Sequence, residues 1–184
     1  MNTTYIKLGL TKNSDKAPFN GFWAFGPNIS HYPGAFPNGF LEKLKQTPWW
    51  GQTRLHLCSG AVRDGITIDI KLGVRPTIVA DLNLGVPLKD NSVDFILIDP
   101  PYSEEKAQTL YQVSLLSIPK LLAEAGRVVT PSGFVLLLDL RIWPPPKTLR
   151  WEALIAIYMA NRGPKPLRAL SVFRKLIHKQ ETFI

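Results

Sequence analysis

Between Arg54 and Leu140 the chain passes five times through a short apolar run that stops abruptly. Arg54–Cys58 ends on Ser59-Gly60, Gly65–Ile70 carries Asp69 near its end, and Thr77–Ala80 is followed by Asp81. Val93–Ile98 runs into Asp99-Pro100-Pro101-Tyr102, and Phe134–Leu140 follows the turn-forming Thr130-Pro131-Ser132-Gly133. Such runs are too short and too rich in β-branched residues for helices, and their near-continuous apolar character suits strands buried on both faces of a parallel sheet. A helical stretch lies between the fourth and fifth runs: Ser103 can cap it, Glu104 and Glu105 suit its first turn, and apolar positions recur through Leu110, Val113, Leu116 and Leu121. Pro119 splits this stretch or opens a second helix. Ala153–Met159 and Ala169–Arg174, joined through Asn161-Arg162-Gly163-Pro164, read as a closing antiparallel hairpin. The expected architecture is an α/β layered, mostly parallel sheet with helices on both faces.

Upstream, residues 1–53 interleave Pro18, Pro27, Pro33, Pro37 and Pro48 with nine aromatic side chains between Phe19 and Trp50. Strands tolerate proline poorly, so this segment is expected to be mostly loop anchored by rings. One helix is expected within it, over Phe40–Lys45, after the Pro37-Asn38-Gly39 turn and before Pro48.

A chain of 184 residues, 45% hydrophobic, can bury a proper core, and is read as one domain over residues 1–184. Its single cysteine excludes an intramolecular disulfide framework and a cysteine-based zinc cluster, which suits a reducing, cytoplasmic setting, and no metal is expected. No run approaches the ~20 apolar residues of a membrane span, so no membrane is expected as a partner. The net charge of +8 is uneven: residues 1–60 carry six Lys/Arg against two Asp/Glu, residues 150–184 seven against two, and the middle nine against ten. Basic flanks around a neutral centre suit a domain that grips a nucleic-acid backbone.

In open α/β sheets ligands bind beyond the carboxyl ends of the strands, and Asp69, Asp81 and Asp99 all stand on that rim. Any one of them alone would be an ordinary turn cap; three together suit a ligand bearing hydroxyl and amine donors. Asp99-Pro100-Pro101-Tyr102 is the sharpest signal. Two prolines stiffen the backbone and remove two amide donors, so the Asp99 carboxylate and Pro100 carbonyl can project as paired acceptors beside the Tyr102 ring. A planar base with an exocyclic amine matches that array, its NH₂ donating to the acceptors while its ring stacks on tyrosine. The chemistry so served is orientation of a nitrogen lone pair for in-line attack. Ser103 and, after the fifth strand, Arg141 and Trp143 are further candidates for contact with such a target.

These segments resemble the class I S-adenosylmethionine-dependent amino-methyltransferases, which modify adenine N6 or cytosine N4 and carry an Asp/Asn/Ser-Pro-Pro-Tyr/Phe tetrapeptide after the fourth strand. The resemblance implies a Rossmann-like core over residues 54–184, with residues 1–53 packing on the cofactor side, and S-adenosyl-L-methionine as cofactor. It assigns catalysis to Asp99, Pro100, Pro101 and Tyr102. Ser30-His31-Tyr32-Pro33-Gly34-Ala35-Phe36-Pro37 resembles the family's His-Pro-x-x-Phe-Pro segment, placing His31, Phe36 and Pro37 around the methionine end of the cofactor. Cys58-Ser59-Gly60 resembles the glycine turn after the cofactor strand. Val62 stands where the family has a second glycine, which implies a shortened connection to the next strand. Asp69 matches the acidic residue that holds the ribose hydroxyls, Asp81-Leu82 the pair flanking the cofactor's adenine, and Asp99 also borders the cofactor.

Too few residues separate these segments for a target-recognition domain within the chain. The target is therefore expected to be recognised with the help of a protein partner or second copy, or to be read with little sequence specificity. Adenine N6 in DNA is the first expectation. The alternatives are an RNA base (adenine N6 or guanine N2) and a silent subunit supporting a partner methyltransferase. A glutamine-modifying enzyme would favour Asn at position 99.

Overall fold

The computed structural model describes residues 3–14, 17–27, 35–160 and 166–177, with positions 110 and 111 by backbone alone. His31 and its neighbours at 28–34, Lys165 and the expected 161–164 turn lie outside the described residues. One nine-stranded sheet runs through the molecule. In chain order its strands are β1 (Leu10–Thr11), β2 (Phe19–Phe25), β3 (Arg54–Leu57), β4 (Ile66–Asp69), β5 (Ile78–Val79), β6 (Val93–Ile98), β7 (Val129–Asp139), β8 (Leu149–Met159) and β9 (Arg168–Lys175). Across the sheet they lie β1-β2-β8-β9-β7-β6-β3-β4-β5. From β5 to β7 every pairing is parallel, while β9 runs antiparallel to both β7 and β8. This is the expected Rossmann-like sheet, mostly parallel with a C-terminal antiparallel hairpin.

Helices cover both faces. Against one lies α4 (Ile118–Val128), whose Leu121, Leu122 and Ala125 pack on Leu55, Ile96 and Leu137. Against the other lie α1 (Thr3–Lys7) and α2 (Phe40–Lys45), which bring Tyr5, Phe40 and Leu44 onto Leu97, Leu136 and Ile155. The alternation of β6 makes this division: Ile96 and Ile98 join the first layer, Phe95 and Leu97 the second. Gly39 opens α2 at φ 84°, a left-handed conformation that only glycine adopts without strain.

The N-terminal segment departs from expectation. Phe19–Phe25 is a strand, paired in parallel along its length with β8. Its bounding prolines, Pro18 and Pro27, stand just outside it, so the run between them keeps every amide for the ladder. Its partner lies far along the chain, so no local turn announces it. The helical stretch also breaks up: after a short turn, α3 (Glu104–Lys106), come a single π-helical turn at Ala107–Tyr111 and a left-handed Gln112, and only then α4, with Pro119 in its first turn. The expected Thr130–Gly133 turn survives as an irregularity inside β7, where Val93 pairs with Val129 but Phe95 with Phe134. Residues 58–65 join β3 to β4 without a helix, in accord with the shortened connection implied by Val62. Among the described residues no helix is long and apolar enough to cross a membrane.

Candidate functional site

Sheet order reverses between β3 and β6, so the loops leaving these two strands diverge and open a crevice at their carboxyl ends. Leu57 pairs with Ile98, which sets the Cys58–Gly60 turn directly beside Asp99. Cys58 and Gly60 both take positive φ (55° and 49°), so the chain turns sharply away from the strand. Cys58 stands one residue beyond β3, partly buried and packed against the first core layer. The Asp69 carboxylate braces this turn, accepting the amides of Gly60 (2.9 Å) and Lys71 (2.9 Å).

A cleft of about 370 Å³ occupies the crevice. Phe36, Pro37, Cys58, Ser59, Gly60, Asp69, Asp81, Leu82 and Asp99 all line it, and Pro101 closes one wall. Asp81 also serves as a cap, accepting the Asn83 amide at 2.9 Å. Ser59 is buried, and its hydroxyl has no partner among the described residues.

On the far side of the tetrapeptide lies a second cleft of about 270 Å³. Pro101, Tyr102, Asp139, Arg141 and Trp143 line it, with Leu115–Pro119 as its outer wall. Pro101 and Leu116 border both spaces. The tetrapeptide is therefore a partition, with Asp99 on one side and Tyr102 on the other. Pro100 is buried and borders neither cleft. Ser103 also stays out of both, its hydroxyl accepting the Lys106 amide at the start of α3.

Two further groups complete the partition. The Tyr102 hydroxyl donates to Asp99 Oδ1 at 2.6 Å and accepts from Arg168 Nη1 at 3.1 Å. Asp139, 4% exposed at the end of β7, accepts the Leu140 and Arg141 amides and, at 2.8 Å, the Trp143 indole N–H. Asp139 closes an apolar run just as Asp69 does, so its signal was present in the sequence; Arg168 stood out there as a basic residue that could meet a phosphate, and the structure places it on Tyr102 instead.

Burial pushes the Asp99 carboxyl up to about 6; Arg168 and the Tyr102 hydrogen bond pull against that rise, while Asp139 adds to it. Burial, reinforced by Asp99, also raises the Tyr102 phenol, which stays protonated as a donor. The Cys58 thiol is raised too, by burial and then by Asp69 and Asp99, so it is no nucleophile at neutral pH. In the sequence, Lys165, Arg168, Arg174 and Lys175 are each candidates for contact with phosphates; Lys165 lies outside the described residues, Arg168 is held on Tyr102, Arg174 lies over the Phe134 ring, and Lys175 Nζ donates to Asn91 Oδ1 and to the carbonyls of Arg127 and Val129.

No protein-family model matches the chain, and no curated protein matches its sequence. Among solved structures it is similar to TrmN from Thermus thermophilus, at 19% identity and a TM-score of 0.47 over 68% of this chain and 44% of TrmN. It is also similar to a SAM-dependent methyltransferase from Aquifex aeolicus, at 19% identity and 0.43 over 74% and 89% of the two chains. A third is the PH0226 protein from Pyrococcus horikoshii OT3, at 12% and 0.46 over 74% and 87%. The chain spans under half the length of TrmN. At these identities the likeness lies in the backbone path.

Proposed function

We propose that the chain is an S-adenosylmethionine-dependent methyltransferase acting on the exocyclic amine of a nucleobase, adenine N6 in DNA first. The observation that carries this reading is the partition, one rigid turn bordering both a cofactor-sized cleft and a second cleft walled by Tyr102 and Trp143.

The first cleft suits the cofactor. Its volume falls in the range of small-molecule sites. The unpartnered Ser59 hydroxyl and the open Gly60 turn would receive the methionine portion, with Phe36, Pro37 and, by resemblance, His31 around it. The Asp69 carboxylate keeps lone pairs beyond those used by the two amides for ribose hydroxyls, and Asp81-Leu82 would flank the adenine. When bound, S-adenosylmethionine supplies an electrophilic methyl group.

The chain's own residues then orient and deprotonate. Tyr102 occupies Asp99 Oδ1, so Oδ2 is the oxygen left for the target amine, while the target's ring stacks on Tyr102; the Pro100 carbonyl, expected as the second acceptor, borders neither cleft. Held there, the nitrogen lone pair faces the first cleft, and the rate gain comes from positioning. Asp99, with its carboxyl near 6, is suited to take the proton the amine sheds. On duplex DNA the base has to leave the stack to reach Tyr102. Arg141 and Trp143 would border the flipped base, with recognition of flanking sequence left to a protein partner or second copy.

Incubation with methyl-labelled S-adenosylmethionine and matched DNA and RNA pools, followed by nucleoside analysis, tests this. Label on N6-methyldeoxyadenosine is expected, and Asp99→Ala should abolish it while leaving cofactor affinity within a few-fold. Label confined to ribonucleosides would move the substrate to RNA. No label, with no cofactor binding by calorimetry, would replace the enzyme with a silent subunit.

A further inference from the structure

We propose that Arg168 is a positioning residue of this site, holding the Tyr102 hydroxyl at 3.1 Å so that Tyr102 in turn fixes Asp99 at 2.6 Å. The inference rests on the reading of Asp99 as the amine acceptor.

A guanidinium has only donors, so the direction of the chain is settled: Arg168 donates to the phenol oxygen, and the phenol proton goes to Asp99. Each rotor of the site is thereby stopped. The Tyr102 ring cannot swing without breaking both bonds, and Asp99 cannot turn the occupied oxygen toward an incoming amine. The sheet topology makes this possible. β9 inserts beside β7, pairing Ala169 with Asp139, so the first residue of β9 arrives at the rim where β6 delivers Asp99. Arg168 Nη2 is buried with no partner among the described residues. An unpaired buried donor costs stability, and such costs collect at functional sites.

Charge adds a second consequence. The groups that act on Asp99 are Arg168 from β9, Tyr102 from its own loop and Asp139 from the end of β7, with the Cys58 thiol beside it at the end of β3. Arg168 is the cation among them. It opposes burial and so keeps the carboxylate ionised, and available as an acceptor, at neutral pH. Without it the Asp99 midpoint rises, because both burial and Asp139 push the same way.

The test is carboxyl-carbon NMR titration of Asp99 in the free full-length protein, together with the pH profile of turnover, for wild type, Arg168→Gln, Arg168→Lys and Tyr102→Phe. The expected result is an upward shift of the Asp99 midpoint and of the acid limb of turnover by about one pH unit or more in Arg168→Gln. Arg168→Lys keeps the cation and should bring the midpoint most of the way back to the wild-type value. Tyr102→Phe keeps the ring and should lower kcat with little change in the cofactor KM. An Asp99 midpoint that stays put in Arg168→Gln overturns the proposal. If that variant fails to fold, Tyr102→Phe decides: removing the hydroxyl through which Arg168 reaches Asp99 should raise the Asp99 midpoint and lower kcat, and a midpoint and kcat both unchanged from wild type overturn the proposal equally. The titration needs no turnover, so wild type that labels no nucleobase refutes the methyltransferase reading and leaves the role of Arg168 to be judged by the midpoint.

Discussion

Replacing Asp99 by Asn keeps an oxygen for the Tyr102 hydroxyl and removes the buried charge, so the variant isolates what that charge does to stability. In the folded protein the carboxyl stands at about 6, against 3.8 for an ordinary aspartate, net of the attraction from Arg168. Two pH units correspond to roughly 3 kcal/mol. Because Asp99 is partly open to the cleft, water screens some of this, and about 2 kcal/mol is the figure to expect. The direction follows from proton linkage: the folded state binds the proton more tightly than the unfolded chain. The stabilisation from that proton is complete below the ordinary carboxylate range and is lost as pH rises through about 6. Asp99→Asn should therefore match wild type near pH 4 and exceed it by about 2 kcal/mol near pH 7.5. For a chain of this length that is a rise of roughly 4–8 °C in Tm. Urea and thermal unfolding at the two pH values measure it. A difference independent of pH, or an Asn variant less stable than wild type near neutrality, would show that Asp99 is not held in the raised state.

Asp69→Ala should weaken S-adenosylmethionine binding by ~1–3 kcal/mol by calorimetry, since hydrogen bonds to a charged acceptor and the brace on the Gly60 turn go together. Leu97→Ala, in mid-β6 at 1% exposure, should cost about 2–5 kcal/mol in denaturant unfolding through the cavity it leaves. Lys175→Met should lower unfolding stability by about 1–3 kcal/mol by leaving the carbonyls of Arg127 and Val129 without their donor, while labelling activity persists.

What could be read in the sequence was whatever local pattern decides. β6 and α2 fall at Val93–Ile98 and Phe40–Lys45 as expected, because an unbroken apolar run and a glycine-opened turn need no distant partner to define them. β2 escaped because proline density stands for loop only when the prolines fall within the run, and here they frame it. The long helix failed at Ala107–Gln112, where a widened turn and a left-handed residue break the period that Leu110 and Val113 suggested. The cofactor-side residues stood out because strand ends converge on one rim whatever the connections do. Arg168 read only as a basic residue that could meet a phosphate, because its place at Tyr102 comes from β9 inserting between β8 and β7, which no local pattern shows.

The place of β9 also orders the assembly of the molecule. It is the last strand among the described residues, yet it is the seam joining β1-β2-β8 to β7-β6-β3-β4-β5. Without residues 168–175 these two parts have no strand between them and present bare, pairing-competent edges at β8 and β7. A chain cut before Arg168 would thus hold both ribbons unjoined, which makes its exposed borders the natural ground for chaperone capture or for clumping with other copies.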